Sequence, residues 1–220
     1  MKKIDLTHTL SSDIPHWDGD CCFRATVAVD YKDCTPPNLF RVQRLEMKAG
    51  AGTHIDAPAH YFADGTTVDA LELENLVTDC YTIHTNNLNK DFLITKETIE
   101  KFENEHGKIL PKTFVIFHTG WDIYWNTPQK YRNDLKFPSL HESAAQLLVE
   151  RDIAGMGIDT LSPDAIGKDF PVHRILLGAG KYIVENVANA KDLPPVGAKI
   201  MILPLKIEGG TESPIRLVAY

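Results

Sequence analysis

Alternating hydrophobic and polar residues predict strands at several places along the chain. β-branched and aromatic residues alternate with polar ones in FRATVAVDY, residues 23–31, and in LFRVQRLEMK, residues 39–48. A continuous hydrophobic stretch, KTFVIFHTGW at residues 112–121, is typical of a strand that is buried on both faces. Near the end of the chain, AKIMILPLKI and GGTESPIRLVAY, residues 198–207 and 209–220, predict two strands joined as a hairpin.

Helical periodicity occurs in two segments between these strands. TKETIEKFENEH, residues 95–106, begins with a threonine suited to capping and carries hydrophobic residues such as Phe102 on one side. LHESAAQLLVERD, residues 140–152, is amphipathic in the same way, with Leu148 on its hydrophobic side. Since strands and helices are interspersed, the pattern predicts one α/β domain over residues 1–220.

The composition is that of an ordinary globular protein, with 43% hydrophobic and 24% charged residues. The formal net charge is -7 and the basic residues are scattered, so we expect no nucleic-acid partner. No hydrophobic stretch has the length of a membrane span or of a signal-peptide core, which predicts a cytoplasmic protein without a membrane partner. The 4 cysteines lack C-x-x-C spacing, and we expect them to be reduced.

The stretch GAGTHIDAPAH, residues 50–60, places two histidines and a carboxylate behind several small residues. Divalent first-row metals prefer imidazole and carboxylate ligands, which His54, Asp56 and His60 supply. In an extended segment His54 and Asp56 point to the same side, and the bend at Pro58 allows His60 to return toward them. The same residues also fit a polar turn in which Asp56 is a cap, so the spacing leaves both interpretations open.

GTHIDAPAH resembles the signature H-x-G-T-H-x-D-x-P-x-H of the metal-dependent cyclase-like hydrolases, the family that includes bacterial kynurenine formamidase and isatin hydrolase. Four further segments resemble the family in the same order: IDLTHTLSSDIPHWDGD, GMGIDTLSPD, FPVHRILLGAGKYIVENV and ILPLKIEGGTESPIRLVAY. The resemblance therefore extends over nearly the whole chain. It implies a β-barrel-like core with outer helices, assembled as a homodimer or homotetramer.

The resemblance also implies a divalent metal, zinc in the first place and manganese as the alternative, with one or two ions bound. The ligands that it implies in this sequence are His54, Asp56, His60, His173 and Glu185. It further implies that His60 is a proton shuttle and that Glu185 orients it or shares its proton. The ligand and shuttle roles of His60 compete, since a firmly metal-bound imidazole is not free to act as an acid.

One position departs from the signature, because Gly50 stands where the family has its first histidine. Glycine has no side chain to bind an ion, and catalytic zinc sites usually have three protein ligands. A first site with only His54 and Asp56 therefore lacks one ligand. The histidines that offer a substitute are His8, His16 and His118. Without a substitute, only the second site would fill, with the ligands Asp56, His60, His173 and Glu185.

Several other residues have two interpretations. Trp17, in a loop rich in proline, glycine and aspartate, is the candidate for stacking on a planar substrate, and packing of the loop explains it equally well. For Trp121 and Trp125 we expect core packing. For Asp159 and Asp164 in GMGIDTLSPD we expect structural roles at a strand end.

The function expected from these features is metal-dependent hydrolysis of a C–N amide bond in a small carbonyl compound by a metal-activated water. The arylformamidase branch of the family makes N-formylkynurenine the leading substrate. The alternative is a non-catalytic descendant that binds a metal or a small molecule, in which Gly50 marks the decay of the first site.

Overall fold

The computed structural model of the protein describes residues 3–164, 167 and 169–220. The remaining residues of the predicted domain lie outside this description, namely Met1, Lys2, Ala165, Ile166 and Lys168. The strands are β1 (Ile4–Asp5), β2 (Phe23–Val29), β3 (Val42–Met47), β4 (His54–Asp56), β5 (Val77–His84), β6 (Leu93–Ile94), β7 (Phe114–His118), β8 (Ser139–Leu140), β9 (Gly155–Ile158), β10 (Tyr182–Glu185), β11 (Ala198–Pro204) and β12 (Glu212–Ala219). The α-helices are α1 (Leu73–Leu76), α2 (Lys96–His106), α3 (Pro128–Arg132), α4 (Glu142–Glu150) and α5 (Pro171–Gly178).

Seven strands close into a barrel, because β4 pairs with both β10 and β12. The order around the barrel is β12, β11, β5, β7, β9, β10 and β4. The strands β5, β7, β9 and β10 are parallel to one another, whereas β4, β11 and β12 pair in antiparallel fashion. β1 pairs with the end of β12, and β2–β3 and β6–β8 form separate two-stranded sheets. The closure places β4 between the end of β10 and the start of β12.

The barrel interior and the outer layer use alternate residues of the same strands. In β7, Phe114 and Ile116 belong to the cluster inside the barrel, whereas Val115 and Phe117 pack against the helices. All four side chains are fully buried. A strand covered on both faces has no polar face, which explains the continuous hydrophobic stretch in the sequence.

The helices α2, α4 and α5 cover the outside of the barrel. Ile99 of α2, Leu148 of α4 and Leu176 of α5 belong to the same hydrophobic cluster as Val115 and Phe117. Each fully buried aliphatic side chain of this kind stabilises the fold by roughly 1.5–3 kcal/mol. None of the helices within residues 3–164, 167 and 169–220 combines the length and the hydrophobicity needed to cross a lipid bilayer.

The predicted α/β class, with a barrel core and outer helices, is confirmed. The strands β2, β3 and β7 and the β11–β12 hairpin occur where the pattern predicts them. Thr95 occupies the N-cap position of α2, as predicted, but its side chain makes no capping hydrogen bond. α4 is capped by His141, whose side chain accepts from the N–H of Ser143. The short elements α3, β6 and β8 lie where the pattern predicts no element.

Candidate metal centre

Three neighbouring strands bring acidic and imidazole side chains together. β4 pairs with β10, which places Glu185 opposite His54, and with β12, which places Glu212 opposite Asp56. Side chains alternate along a strand, so Ile55 points into the barrel core and its two neighbours point to the other face. The extended conformation predicted for His54 and Asp56 is thus present, and it aligns them with carboxylates on both sides.

Two histidines face the same pair of carboxylates. His54 Nε2 lies 3.5 Å from Asp56 Oδ1 and 3.4 Å from Glu185 Oε2. His173, on α5, places Nε2 3.6 Å from Asp56 Oδ2 and 3.5 Å from Glu185 Oε1. All four side chains are buried. Imidazole nitrogen and carboxylate oxygen around one space are the donor set that zinc and manganese accept.

The Nδ1 atoms of His54 and His173 each face an oxygen that accepts hydrogen bonds but cannot donate them. His54 Nδ1 donates to the carbonyl oxygen of Gly52 at 2.9 Å, and His173 Nδ1 donates to Asp164 Oδ2 at 2.6 Å. Each Nε2 is therefore the ring atom that faces the carboxylates, and it offers its lone pair to a metal ion that displaces its proton. Asp164 also accepts from the N–H groups of Val172 and His173, so it stabilises the start of α5 and orients the imidazole at once.

The electrostatics of the cluster favour a cation. Burial lowers the pKa of His54 and of His173, but the surrounding carboxylates outweigh it and raise both above the ordinary value. Burial raises the pKa of Glu185, and the charge of Asp56 raises it further. For Asp56 burial acts in the same direction and is the largest single effect, but His54, His173 and His60 together outweigh it and the pKa is lowered. Two buried carboxylates thus compete for positive charge in a small space.

One atom of this cluster is left without a partner. Asp56 Oδ1 is buried and has no hydrogen-bond donor among the residues that the structure describes. A buried carboxylate oxygen without a donor is costly, so such an atom in a native fold calls for a ligand or an ion. The unpartnered oxygen and the two Nε2 atoms that face the carboxylates together show that these residues fit a divalent metal.

The ligand atoms form two overlapping groups. Asp56, His60 and His173 offer atoms that lie within 4.8 Å of one another, and so do His54, Asp56 and Glu212. Asp56 belongs to both groups, as expected of a bridging carboxylate. All five predicted ligands therefore lie at one site, but Glu185 lies between His54 and His173 rather than beside one ion position only.

His60 is the most accessible member of the site. It ends the short 3₁₀ turn Pro58–His60, the irregular return predicted after Pro58, and its side chain is 34% exposed. Its Nδ1 lies 3.3 Å from Glu212 Oε2, and this hydrogen bond raises the pKa of His60. The imidazole ring of His60 is 6.0 Å from that of His173. This position, between cluster and solvent, suits both a ligand and a proton shuttle.

A cavity of about 410 Å³ opens over the cluster. Its wall includes the aromatic residues Trp17, Tyr61 and Phe170. The rings of Trp17 and Phe170 are 5.8 Å apart, and Trp17 is half-buried. Trp121 and Trp125 are buried members of a packed hydrophobic cluster, as expected, and Trp17 also packs against this cluster.

Comparison with known proteins identifies the family. Residues 4–165 match the family model described as putative cyclase. The chain belongs to the cyclase family. It is 32% identical to the isatin hydrolase of Roseibium aggregatum over 186 residues, which cover 77% of this chain and 70% of that protein. It is 29% identical to the kynurenine formamidase of Bacillus cereus over 227 residues, which cover 98% of this chain and 95% of that protein.

Solved structures of cyclase-family proteins share the fold. Isatin hydrolase A from Labrenzia aggregata, bound to benzyl benzoate, aligns with a TM-score of 0.90 and 33% identity over 99% of this chain and 93% of that one. A potential metal-dependent hydrolase with cyclase activity aligns with a TM-score of 0.78 and 27% identity, covering 99% of this chain and 96% of that one. The cyclase-family chain is accordingly a metal-dependent hydrolase.

Gly50, where the cyclase signature has a histidine, lies in the cavity wall next to the cluster. Two of the three proposed substitutes lie elsewhere. His8 stacks on Trp125 with ring centroids 3.8 Å apart, and the Nδ1 of His118 lies 3.1 Å from the Nδ1 of His84. His16 lines the cavity, but its Nδ1 lies 3.3 Å from Asp20 Oδ1.

The residue that the sequence interpretation missed is Glu212. It precedes Ser-Pro in the closing strand, where no local pattern distinguishes it from any solvent-facing glutamate. Only the pairing of β12 with β4 brings its carboxylate next to Asp56. The signal that could have found it was the predicted hairpin together with a closed barrel, which requires the last strand to meet an early one.

Proposed function

We propose that this cyclase-family hydrolase cleaves the C–N amide bond of a small planar carbonyl compound, with aryl formamides such as N-formylkynurenine as the leading substrates. The observation that carries the proposal is the position of the buried donor cluster at the base of an aromatic-walled cavity. A flat aromatic amide can stack on that wall while its carbonyl reaches the cluster.

The donors His54, Asp56, His173 and Glu185 would hold one or two ions, for which we propose zinc, with manganese as the alternative. A divalent ion bound there makes a water nucleophilic at neutral pH and polarises the substrate carbonyl. Asp164 and the carbonyl of Gly52 keep both imidazoles in the tautomer that binds metal.

His60 is proposed to protonate the leaving nitrogen. The hydrogen bond from its Nδ1 to Glu212 favours the protonated ring, and its partial exposure gives it access to the cavity. Glu185, buried between His54 and His173, is proposed to share with His60 the proton that passes to the leaving nitrogen. In His60→Ala, loss of turnover with full metal content is the expected result; loss of both would make His60 a ligand instead.

Trp17 is proposed to stack on the substrate ring. Trp17→Phe should retain most of the activity because it keeps an aromatic face, whereas Trp17→Ala should raise KM with little change in kcat. A large fall in thermal stability in both variants, without a change in KM, would show that Trp17 only packs the loop.

Activity of the metal-loaded protein toward N-formylkynurenine, isatin and a non-aromatic formamide tests the proposal directly. Isatin, a cyclic amide, is included because isatin hydrolase A is 33% identical over 99% of the chain. We expect hydrolysis of one aromatic amide and its loss after chelation. Absence of turnover on the whole panel, with metal bound, would favour the non-catalytic alternative.

We further propose a cytoplasmic homodimer or homotetramer. All 4 cysteines are free, as in proteins of reducing compartments. The β2–β3 ribbon forms its own sheet and exposes Val27 and Leu45, which lie on the same face, at 50% and 55%. A second copy of the chain would cover this hydrophobic face. Light scattering after size exclusion measures the mass, and a monomer at micromolar concentration would contradict the assembly.

A further inference from the structure

The loop before β4 leaves a space next to the cluster that another strand fills. A Cβ atom added to Gly50 would lie 2.5 Å from Glu212 Oε1 and 3.3 Å from His54 Nε2. A side chain at position 50 would therefore enter the cluster directly. In this chain the carboxylate of Glu212 occupies the place that such a side chain would take.

The backbone fixes Glu212 in this place. The N–H of Ala57 donates to the carbonyl of Thr211 at 2.9 Å, and the N–H of Ile215 donates to the carbonyl of Thr53 at 3.0 Å. The two hydrogen bonds join β12 to the β4 segment on either side of the Glu212–Asp56 pair. The carboxylate is presented by a paired strand, which limits its freedom to leave the cluster.

We propose that Glu212 is a metal ligand that replaces the missing residue-50 ligand, so that His54, Asp56 and Glu212 form the first metal position of a two-ion centre. Their ligand atoms lie within 4.8 Å of one another. Independently, the unpartnered and buried Asp56 Oδ1 lies 3.5 Å from His54 Nε2, within this group. The assignment rests on the proposed function only in that both require a bound metal.

Replacement of an imidazole ligand by a carboxylate changes which metal ion the first metal position prefers. With one nitrogen donor and two carboxylates, the position is richer in oxygen than the signature with two histidines. Oxygen ligands suit manganese and magnesium, whereas imidazole suits zinc, so the preference for zinc over manganese is reduced at this position. The other oxygen of Glu212, at 3.3 Å from His60 Nδ1, connects the ion to the proposed proton shuttle.

Metal content and affinity test the assignment without any substrate. Apoprotein prepared with a chelator is titrated with MnCl₂ and with ZnCl₂ by calorimetry, and bound metal is counted by plasma mass spectrometry after desalting. The variants are Glu212→Gln, Glu212→Ala and the exchange Gly50→His/Glu212→Ala. Glu208→Gln, at an exposed carboxylate in the turn before β12, is the matched control. Circular dichroism verifies the fold of each variant.

The expected result is two ions in the wild type and in the control. Both single variants at Glu212 should lose one ion, or bind it more than about 100-fold more weakly, since loss of a ligand exceeds the effect of losing an outer hydrogen bond. The exchange variant should recover the second ion, with a higher zinc-to-manganese affinity ratio than the wild type.

Two results would overturn the proposal. Unchanged stoichiometry and affinity in Glu212→Ala would show that Glu212 acts on His60 alone. Loss of an ion in Glu212→Ala that the folded exchange variant does not recover would show that Glu212 does not stand in for a residue-50 ligand. Neither result depends on turnover, so an inactive protein with two ions would contradict the proposed function and leave this assignment standing.

Discussion

Two buried aspartates, Asp56 and Asp159, each lie in a group with one histidine and one other carboxylate, and the ligand atoms of each group lie within 4.8 Å of one another. Asp56 Oδ1 has no donor among the described residues, and Nε2 of His54 and of His173 faces its oxygens. Asp159 is fully occupied, because it accepts from the N–H groups of residues 119, 120 and 121 and from Thr119 Oγ1. Composition alone does not distinguish the two groups; hydrogen bonding does.

The histidines of the two groups, His54 and His118, differ in the direction of their pKa shifts. The carboxylates around His54 outweigh the effect of burial and raise its pKa, whereas burial lowers the pKa of His118, which lies 4.0 Å from Asp159 Oδ2. The group around Asp56 has negative charge that attracts a cation. In the group around Asp159, backbone N–H groups already donate hydrogen bonds to the aspartate. The comparison supports the proposed metal-binding role of Asp56 and a structural role for Asp159.

The largest expected effect is at Asp56. Asp56→Asn preserves the size of the side chain but removes the charge shared by both ligand groups, so we expect metal to be lost and kcat/KM to fall at least about 10³-fold, or about 4 kcal/mol. Metal analysis and steady-state kinetics on the leading substrate measure both. Full activity in a metal-replete Asp56→Asn protein would remove the distinction between the two aspartates.

The next effect is a pH dependence of folding at Asp159. Burial raises its pKa to about 6 from the ordinary value of 3.8, so the folded protein binds more protons than the unfolded chain between these values. Its contribution to stability is fully present below about pH 4 and is lost as the pH rises through 6, by about 3 kcal/mol. Urea unfolding of the wild type and Asp159→Asn from pH 4 to 7 measures this contribution.

The comparison of the wild type with Asp159→Asn is itself the control for this measurement. Other titrating groups contribute equally to the wild type and the variant, so the difference between their free energies of unfolding isolates Asp159. A difference that stays constant from pH 4 to pH 7 would show that the backbone donors hold the pKa near its ordinary value.

Removal of the metal should lower the free energy of unfolding of proteins that keep Asp56 and leave that of Asp56→Asn unchanged. The expected change is slightly smaller than the pH effect at Asp159. An ion that binds only the folded protein stabilises it by about 2.7 kcal/mol when its free concentration is 100 times Kd. We expect this increment in the wild type and in Asp159→Asn, and no measurable increment in Asp56→Asn. Unfolding curves with and without chelator measure it, and equal stabilisation of Asp56→Asn would place the ion elsewhere.

The sequence predicted the Asp56 group for a local reason. His54, Asp56 and His60 lie within seven positions of one another, and the period of an extended strand aligns the first two. His173 and Glu185, far along the chain, came only from the family resemblance. Their place depends on the start of α5 and on the register of β10, which no local pattern contains.

Glu212 escaped prediction, and the barrel was predicted only through the family resemblance, for one shared reason. Hydrophobic periodicity predicts that β4 and β12 are strands or turns, but their pairing joins residues far apart in the chain. The carboxylate next to Asp56 exists only because the sheet closes. Gly50 indicated that a ligand was missing, and the proposed replacement, Glu212, comes from β12, next to the space at Gly50.

The smallest expected effect is the cost of Asp159→Asn at pH 7. The amide can present its oxygen to one side only, so its NH₂ group meets donors such as the N–H groups of Gly120 and Trp121. Loss of two hydrogen bonds destabilises the fold by about 2 kcal/mol, because relief of the buried charge offsets part of the cost. Urea unfolding measures the loss, and metal content should stay at the wild-type value. Loss of metal without loss of stability would give Asp159 the role assigned to Asp56, since a carboxylate occupied by backbone donors has no oxygen left for an ion.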